Sequence, residues 1–233
     1  MEFDWSEQSP HIRTLYAPWQ PGDGYEENMI SAQEARLGVQ MPPPLRTFYQ
    51  AWGKRKDMTQ SNQRLLGPAE LVLRPDALIF CIENQACCCW AIEHEDLEDA
   101  NPPVVRADAL RNWERSEPSS PLTWMPSHTH VSDFLDTLTY QHALYGGAMH
   151  GGTGSFHPQE CYDAWRSQHW HRIMVRPMTF GLADENGCGD LPLYVRNGLA
   201  LAWFYHTCSV AARRIEDLDK IGRLLQVTWK HRW

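Results

Sequence analysis

The sequence predicts an α+β fold with a largely antiparallel sheet flanked by helices and a smaller C-terminal α/β extension. Three observations carry this expectation. A helix pair with clear start and stop signals opens the chain, several short apolar runs follow in a group, and a long amphipathic stripe closes the group. Strands gathered together with helices at either end favour α+β over an alternating α/β order. With 42% hydrophobic and 21% charged residues, the 233-residue chain has the composition of a folded globular protein.

The helix pair begins at Ile30-Ser31-Ala32-Gln33-Glu34-Ala35. Ser31 three residues before Glu34 has the spacing of a capping box, with Ile30 and Ala35 as a weak hydrophobic staple. Gly38 is placed to end this helix in the left-handed conformation that glycine tolerates. Met41-Pro42-Pro43-Pro44 supplies a proline for the first turn of a second helix. Leu45, Phe48, Tyr49 and Trp52 then recur at helical spacing, and Gly53 closes the segment.

Leu65-Leu66-Gly67-Pro68 and Glu70-Leu71-Val72 read as an extended piece with a turn. Ala77 to Ile82 is a compact apolar run, most simply a buried strand. Glu83-Asn84-Gln85 offers a turn, and Cys87 to Ile92 returns as an antiparallel partner. Pro102-Pro103-Val104-Val105 starts another strand, and Asn112-Trp113 and Thr123-Trp124 suggest short edge strands. Val131, Phe134, Leu135, Leu138, His142 and Tyr145 form one helical stripe that stops at Gly146-Gly147.

Gly151, Gly152 and Gly154 extend that break and read as a linker, which divides the chain into residues 1–149 and 150–233. Beyond it, Pro158 to Trp170 is a short helix candidate. Leu193-Tyr194-Val195, a turn at Arg196-Asn197-Gly198 and Leu199 to Phe204 read as a β-hairpin. Ile215, Leu218, Ile221, Leu224 and Leu225 mark a last helix.

Charge and cysteine usage narrow the function classes. The net charge is −8, so nucleic acid is not the expected partner, because phosphate binding needs a basic face. Residues 1–149 hold 21 acids against 11 Lys and Arg, whereas residues 150–233 hold 8 against 10. An acidic first part suits a basic protein partner, and simple solubility is the plainer reading. No apolar run reaches the roughly 20 residues that span a bilayer. The acidic start Met1-Glu2-Phe3-Asp4-Trp5 lacks the pattern of a secretory signal, so a cytoplasmic protein with reduced thiols is expected. Seven cysteines lack a paired CxxC spacing, and three of them are consecutive, so small buried side chains are expected rather than a metal site.

Several of these segments together resemble the SMI1/KNR4 (SUKH) family. Ser31 through Gly53 is similar to its opening helix pair, with Met41 where the family usually has leucine before proline. Leu78 to Ile92, with Glu83-Asn84-Gln85 and Trp90, resembles the family's central hairpin. Asp99-Ala100-Asn101-Pro102-Pro103-Val104 is similar to its Asp-Pro-Pro-Val segment, and Ser132-Asp133-Phe134-Leu135 to its closing helix. The resemblance covers roughly residues 29–146 and leaves residues 150–233 without a match. It implies an α+β binding protein without catalytic residues or a cofactor. Bacterial members are immunity proteins that neutralise toxins, and fungal relatives are regulatory scaffolds.

Candidate partner-binding residues follow from the acidic run and the hairpin. Glu93, Glu95, Asp96, Glu98 and Asp99 place five carboxylates within seven residues, suited to meeting Lys and Arg of a toxin's cleft. The alternative is a solvated acidic loop. Glu83, Asn84 and Gln85 either face a groove or cap a tight turn, and Trp90 is either a contact ring or a core ring. The histidines at 128, 130, 142, 150, 157, 169 and 171 raise a metal-dependent hydrolase as a rival, yet none falls in an HExxH or Cys-spaced pattern. There is no Gly-x-Ser-x-Gly elbow, and Gly151-Gly152-Thr153-Gly154 has no Lys-Ser or Lys-Thr after it to cradle phosphate.

Overall fold

The computed structural model describes residues 5, 11–108, 122–155, 170–175, 191–204 and 207–233. The sequence-expected strand at Asn112-Trp113 and helix at Pro158 to Trp170 lie outside these residues, Trp170 apart. The described helices are α1 (Ile12–Leu15), α2 (Glu27–Leu37), α3 (Pro43–Trp52), α4 (Lys56–Thr59), α5 (Val131–His142) and α6 (Ile215–Leu224). Strands β1 (Arg64–Leu65), β2 (Val72–Leu73), β3 (Ala77–Ile82), β4 (Cys88–Glu93), β5 (Val104–Asp108) and β6 (Met125–His128) form one sheet. Its order is β1-β3-β4-β5-β6, with β2 also on β3. A second sheet joins β7 (His150–Ser155), β8 (His171–Val175), β9 (Leu191–Arg196), β10 (Leu199–Phe204), β11 (Thr207–Ala212) and β12 (Thr228–Arg232). Its order is β12-β7-β11-β10-β9-β8, and every pairing in both sheets is antiparallel. The fold is α+β.

Two compact units divide the chain: Met1–Trp5 with Gln20–Asp136, and Ser6–Trp19 with Thr137–Trp233. In the first, Leu45, Phe48, Tyr49 and Trp52 of α3 are all buried, as their spacing predicts. Phe48 and Trp52 pack edge to face, and Trp5 packs on both. Every residue of β3 is buried, as is Cys88 to Ile92 of β4. Phe134 of α5 lies against Phe80 and Trp90, with ring centroids 5.0 and 5.7 Å away. Helices thus cover a hairpin whose apolar runs are nearly continuous, which is why it shows no alternation in sequence.

The capping box expected at Ser31 and Glu34 does not form. Helix α2 begins a full turn earlier, where Glu27 lies favourably in the first turn, and Ser31 Oγ donates to Glu27 Oε1. Glu34 is instead buried mid-helix. Its Oε1 accepts from the Met41 backbone N–H at 2.9 Å and from Arg46 Nε at 3.3 Å, joining α2 to α3. Gly38 does end the helix, at φ 72°, with its N–H donating to Glu34 O.

The glycine run expected as a linker is instead part of a strand. His150 to Ser155 is strand β7, paired with both β11 and β12 inside the second sheet. A Cβ on Gly152 would meet Trp229 and the His231 carbonyl at 2.8 Å, and one on Gly154 would meet the Thr228 carbonyl at 2.5 Å. A Cβ on Gly151 would lie 2.3 Å from the Trp233 ring. The glycines are there for close approach, not flexibility. The part expected as a smaller extension therefore carries a six-stranded sheet of its own. The hairpin read from Asn197-Gly198 is present, with Arg196 opposite Leu199. Leu199, Leu201, Val210 and Ala212 pack with Leu218, Ile221 and Leu225 of and beside α6. No described helix is long and apolar enough to cross a membrane.

Candidate functional site

The candidate residues fall at three different places on the β3–β4 hairpin. Glu83, Asn84 and Gln85 occupy its turn. Glu93 ends β4 at the other extreme, and a single 3-10 turn, His94–Asp96, continues from it. Six strand residues at about 3.3 Å each separate the two ends by roughly 17–20 Å. They do not make one site.

At the turn, Glu83 Oε2 accepts from the backbone N–H of Gln85 at 2.7 Å and of Cys87 at 3.2 Å. Gln63 Oε1 accepts from the Asn84 N–H at 3.1 Å, and Ala86 takes a left-handed φ of 57°. The Glu83 carboxylate is therefore a structural cap, while Asn84 and Gln85 are exposed. Trp90 lies between the ends with no exposed surface, in contact with Phe134. Its ring fills the core and is not available to a partner.

The acidic end has the stronger electrostatic character. Glu93 and Asp96 are half-buried, whereas Glu95, Glu98 and Asp99 are exposed and Leu97 is tucked inward. Burial raises the Glu93 pKa first, and repulsion from Asp96, Glu95 and Asp76 adds to it. Asp96 is likewise raised by burial and by Glu95 and Asp99. Among the described residues no Lys or Arg forms an ion pair with any of the five carboxylates, although Arg74 Nε lies 3.5 Å from Asp76 Oδ1.

Two members of this region escaped the sequence reading. Asp76 precedes β3, and its carbonyl accepts the His94 N–H at 2.9 Å, which holds the acidic turn onto the hairpin. Half-buried Trp124 donates its Nε1–H to Asp76 Oδ2 at 2.8 Å. The bond ties the Trp124 ring to Asp76, a neighbour of Glu93, across a separation of 48 residues, which no local motif signals. Exposed Met125 follows it.

The other candidate chemistries find less. His128 is buried and His130 exposed, and His130 Nδ1 lies 3.1 Å from Asp133 Oδ2. No three His, Cys, Asp or Glu groups among the described residues converge as metal ligands. Histidines 157 and 169 lie outside the described residues. Burial pushes the Cys88 thiol up to about 12 and Cys89 to about 11, so both stay protonated at neutral pH and are poor nucleophiles. Burial also raises the Cys81 thiol, and Cys87 alone of the hairpin cysteines is exposed.

In comparisons with known proteins, no family model, curated protein or solved structure matches this chain.

Proposed function

We propose that this chain is a protein-binding immunity protein that neutralises a basic bacterial protein toxin by direct binding and occlusion. The observation that carries this reading is the carboxylate end of the β3–β4 hairpin. Glu93, Glu95, Asp96, Glu98 and Asp99 lie close along one turn with no ion pair to a Lys or Arg among the described residues, and burial together with their mutual repulsion raises the pKa of Glu93 and Asp96. Lys and Arg from a partner would relieve that repulsion, speed encounter and fix orientation. Trp124, anchored on Asp76, supplies an aromatic surface of the kind that dominates interface energetics. The order of the α2–α3 helix pair, the short α4, grouped strands and α5 over residues 27–142 is in keeping with the SMI1/KNR4 resemblance, from which the toxin-neutralising role is taken.

Co-expression with the product of the adjacent gene, followed by pull-down, tests the reading. The expected result is rescue of growth and a stable complex. The triple substitution Glu95→Lys, Asp96→Lys and Glu98→Lys is expected to abolish both while circular dichroism stays native. Undiminished binding would remove the acidic end from the interface, and failure to rescue would end the immunity assignment.

A further inference from the structure

In the second unit, the rings of two histidines 160 positions apart in sequence come together. The rings of His11 and His171 have centroids 4.9 Å apart and planes inclined at 35°. Each is held by its own backbone. His11 directly precedes α1, whose Ile12 and Leu15 are fully buried. Thr14 Oγ1 donates to the His11 carbonyl at 2.7 Å and accepts the Gly198 N–H at 3.0 Å. Tyr16 Oη donates to the Thr139 carbonyl at 2.5 Å and fixes the residue that follows α1. His171 opens β8 and pairs with Val195 of β9, close to the turn that contains Gly198. The juxtaposition is thus built from two independently anchored segments.

We propose that His11 and His171 form a two-imidazole site for a divalent transition metal of the Zn2+, Ni2+ and Cu2+ class, which clasps α1 to the start of β8. A histidine nitrogen binds such an ion at about 2.0–2.1 Å, which puts two rings sharing one ion roughly 4.5–5 Å apart between centroids. The observed separation falls in that range. His171 is exposed on β8, an outer strand of the sheet, so an ion can enter from solvent. Imidazole ligands suit zinc, nickel and copper, and copper binds most tightly by general affinity order.

The test uses the untagged full chain. Titration with Zn2+ by calorimetry is expected to show one saturable equivalent, and Cu2+ electron paramagnetic resonance to show coupling to two imidazole nitrogens. His11→Gln and His171→Gln are each expected to weaken Zn2+ binding by at least about tenfold. His130→Gln, in the other unit, is expected to leave it unchanged. Absence of saturable binding, or equal binding after either substitution, would overturn the proposal. If a variant unfolds, the wild-type Cu2+ spectrum still decides: coupling to fewer than two nitrogens overturns the site.

Discussion

The carboxylates of the acidic turn are held against their own electrostatic preference. Glu93 and Asp96 both have folded pKa values raised by burial and by neighbouring negative charge. A carboxyl group raised in the folded state stabilises the fold below its unfolded pKa, and that contribution is lost as pH rises through the folded pKa. At neutral pH both groups are therefore a load on the fold. The double variant Glu93→Gln, Asp96→Asn should raise the denaturation midpoint at pH 7, and the gain should vanish below the ordinary carboxylate range, where the wild-type groups are neutral too. Urea melts at the two pH values check this; a lowered midpoint at pH 7 would contradict it. Under the proposed function, this destabilising charge would be kept because a partner's cations offset it in the complex. The buried residues follow the opposite logic. Trp90, in the same hairpin, serves packing only, with its Nε1 making no hydrogen bond among the described residues.

Local elements were legible in the sequence wherever the signal and its cause lay close together. The α3 stripe, the β3–β4 pair, the Asn197-Gly198 hairpin and the α6 stripe all rest on periodicity or turn chemistry within a few residues. Ser31-x-x-Glu34 misled because the same spacing serves a helix interior, where Glu34 answers to Met41 and Arg46 instead of to its own helix end. The glycine run misled for a related reason. Composition reports backbone freedom, but not that tryptophans some 75 positions later will lie on the strand. The Trp124–Asp76 bond was invisible on the same ground. Strand β7 lends itself to a direct test. Gly154→Ala introduces a methyl group where the Thr228 carbonyl and Val227 side chain already stand, at 2.5 and 2.6 Å. Overpacking of this kind should destabilise by about 1–3 kcal/mol. A thermal melt reads it, and an unchanged midpoint would mean that β12 gives way freely.

Over the whole molecule, charge separates along the chain: residues 1–149 carry 21 acids to 11 Lys and Arg, and residues 150–233 carry 8 to 10. If the acidic first part steers a basic partner, the association rate should fall steeply between about 0.01 M and 0.15 M salt, as the screening length shrinks from about 30 to 8 Å. Dissociation should change far less. Stopped-flow measurement separates the two, and a salt-independent association rate would count against steering. Strand β7 lies inside the second sheet. Its ladder partners are β11 and β12, and β12 ends at Arg232, while α1 near the other end of the chain packs in the same unit. Every described strand of the first sheet, by contrast, lies between Arg64 and His128. During synthesis the first sheet has all these strands outside the ribosome while β7 still lacks both neighbours. The second sheet pairs over long sequence distances, which slows folding. Strand β7, half of it glycine, therefore waits as an unpaired edge in the nascent chain, where a chaperone has the most to protect.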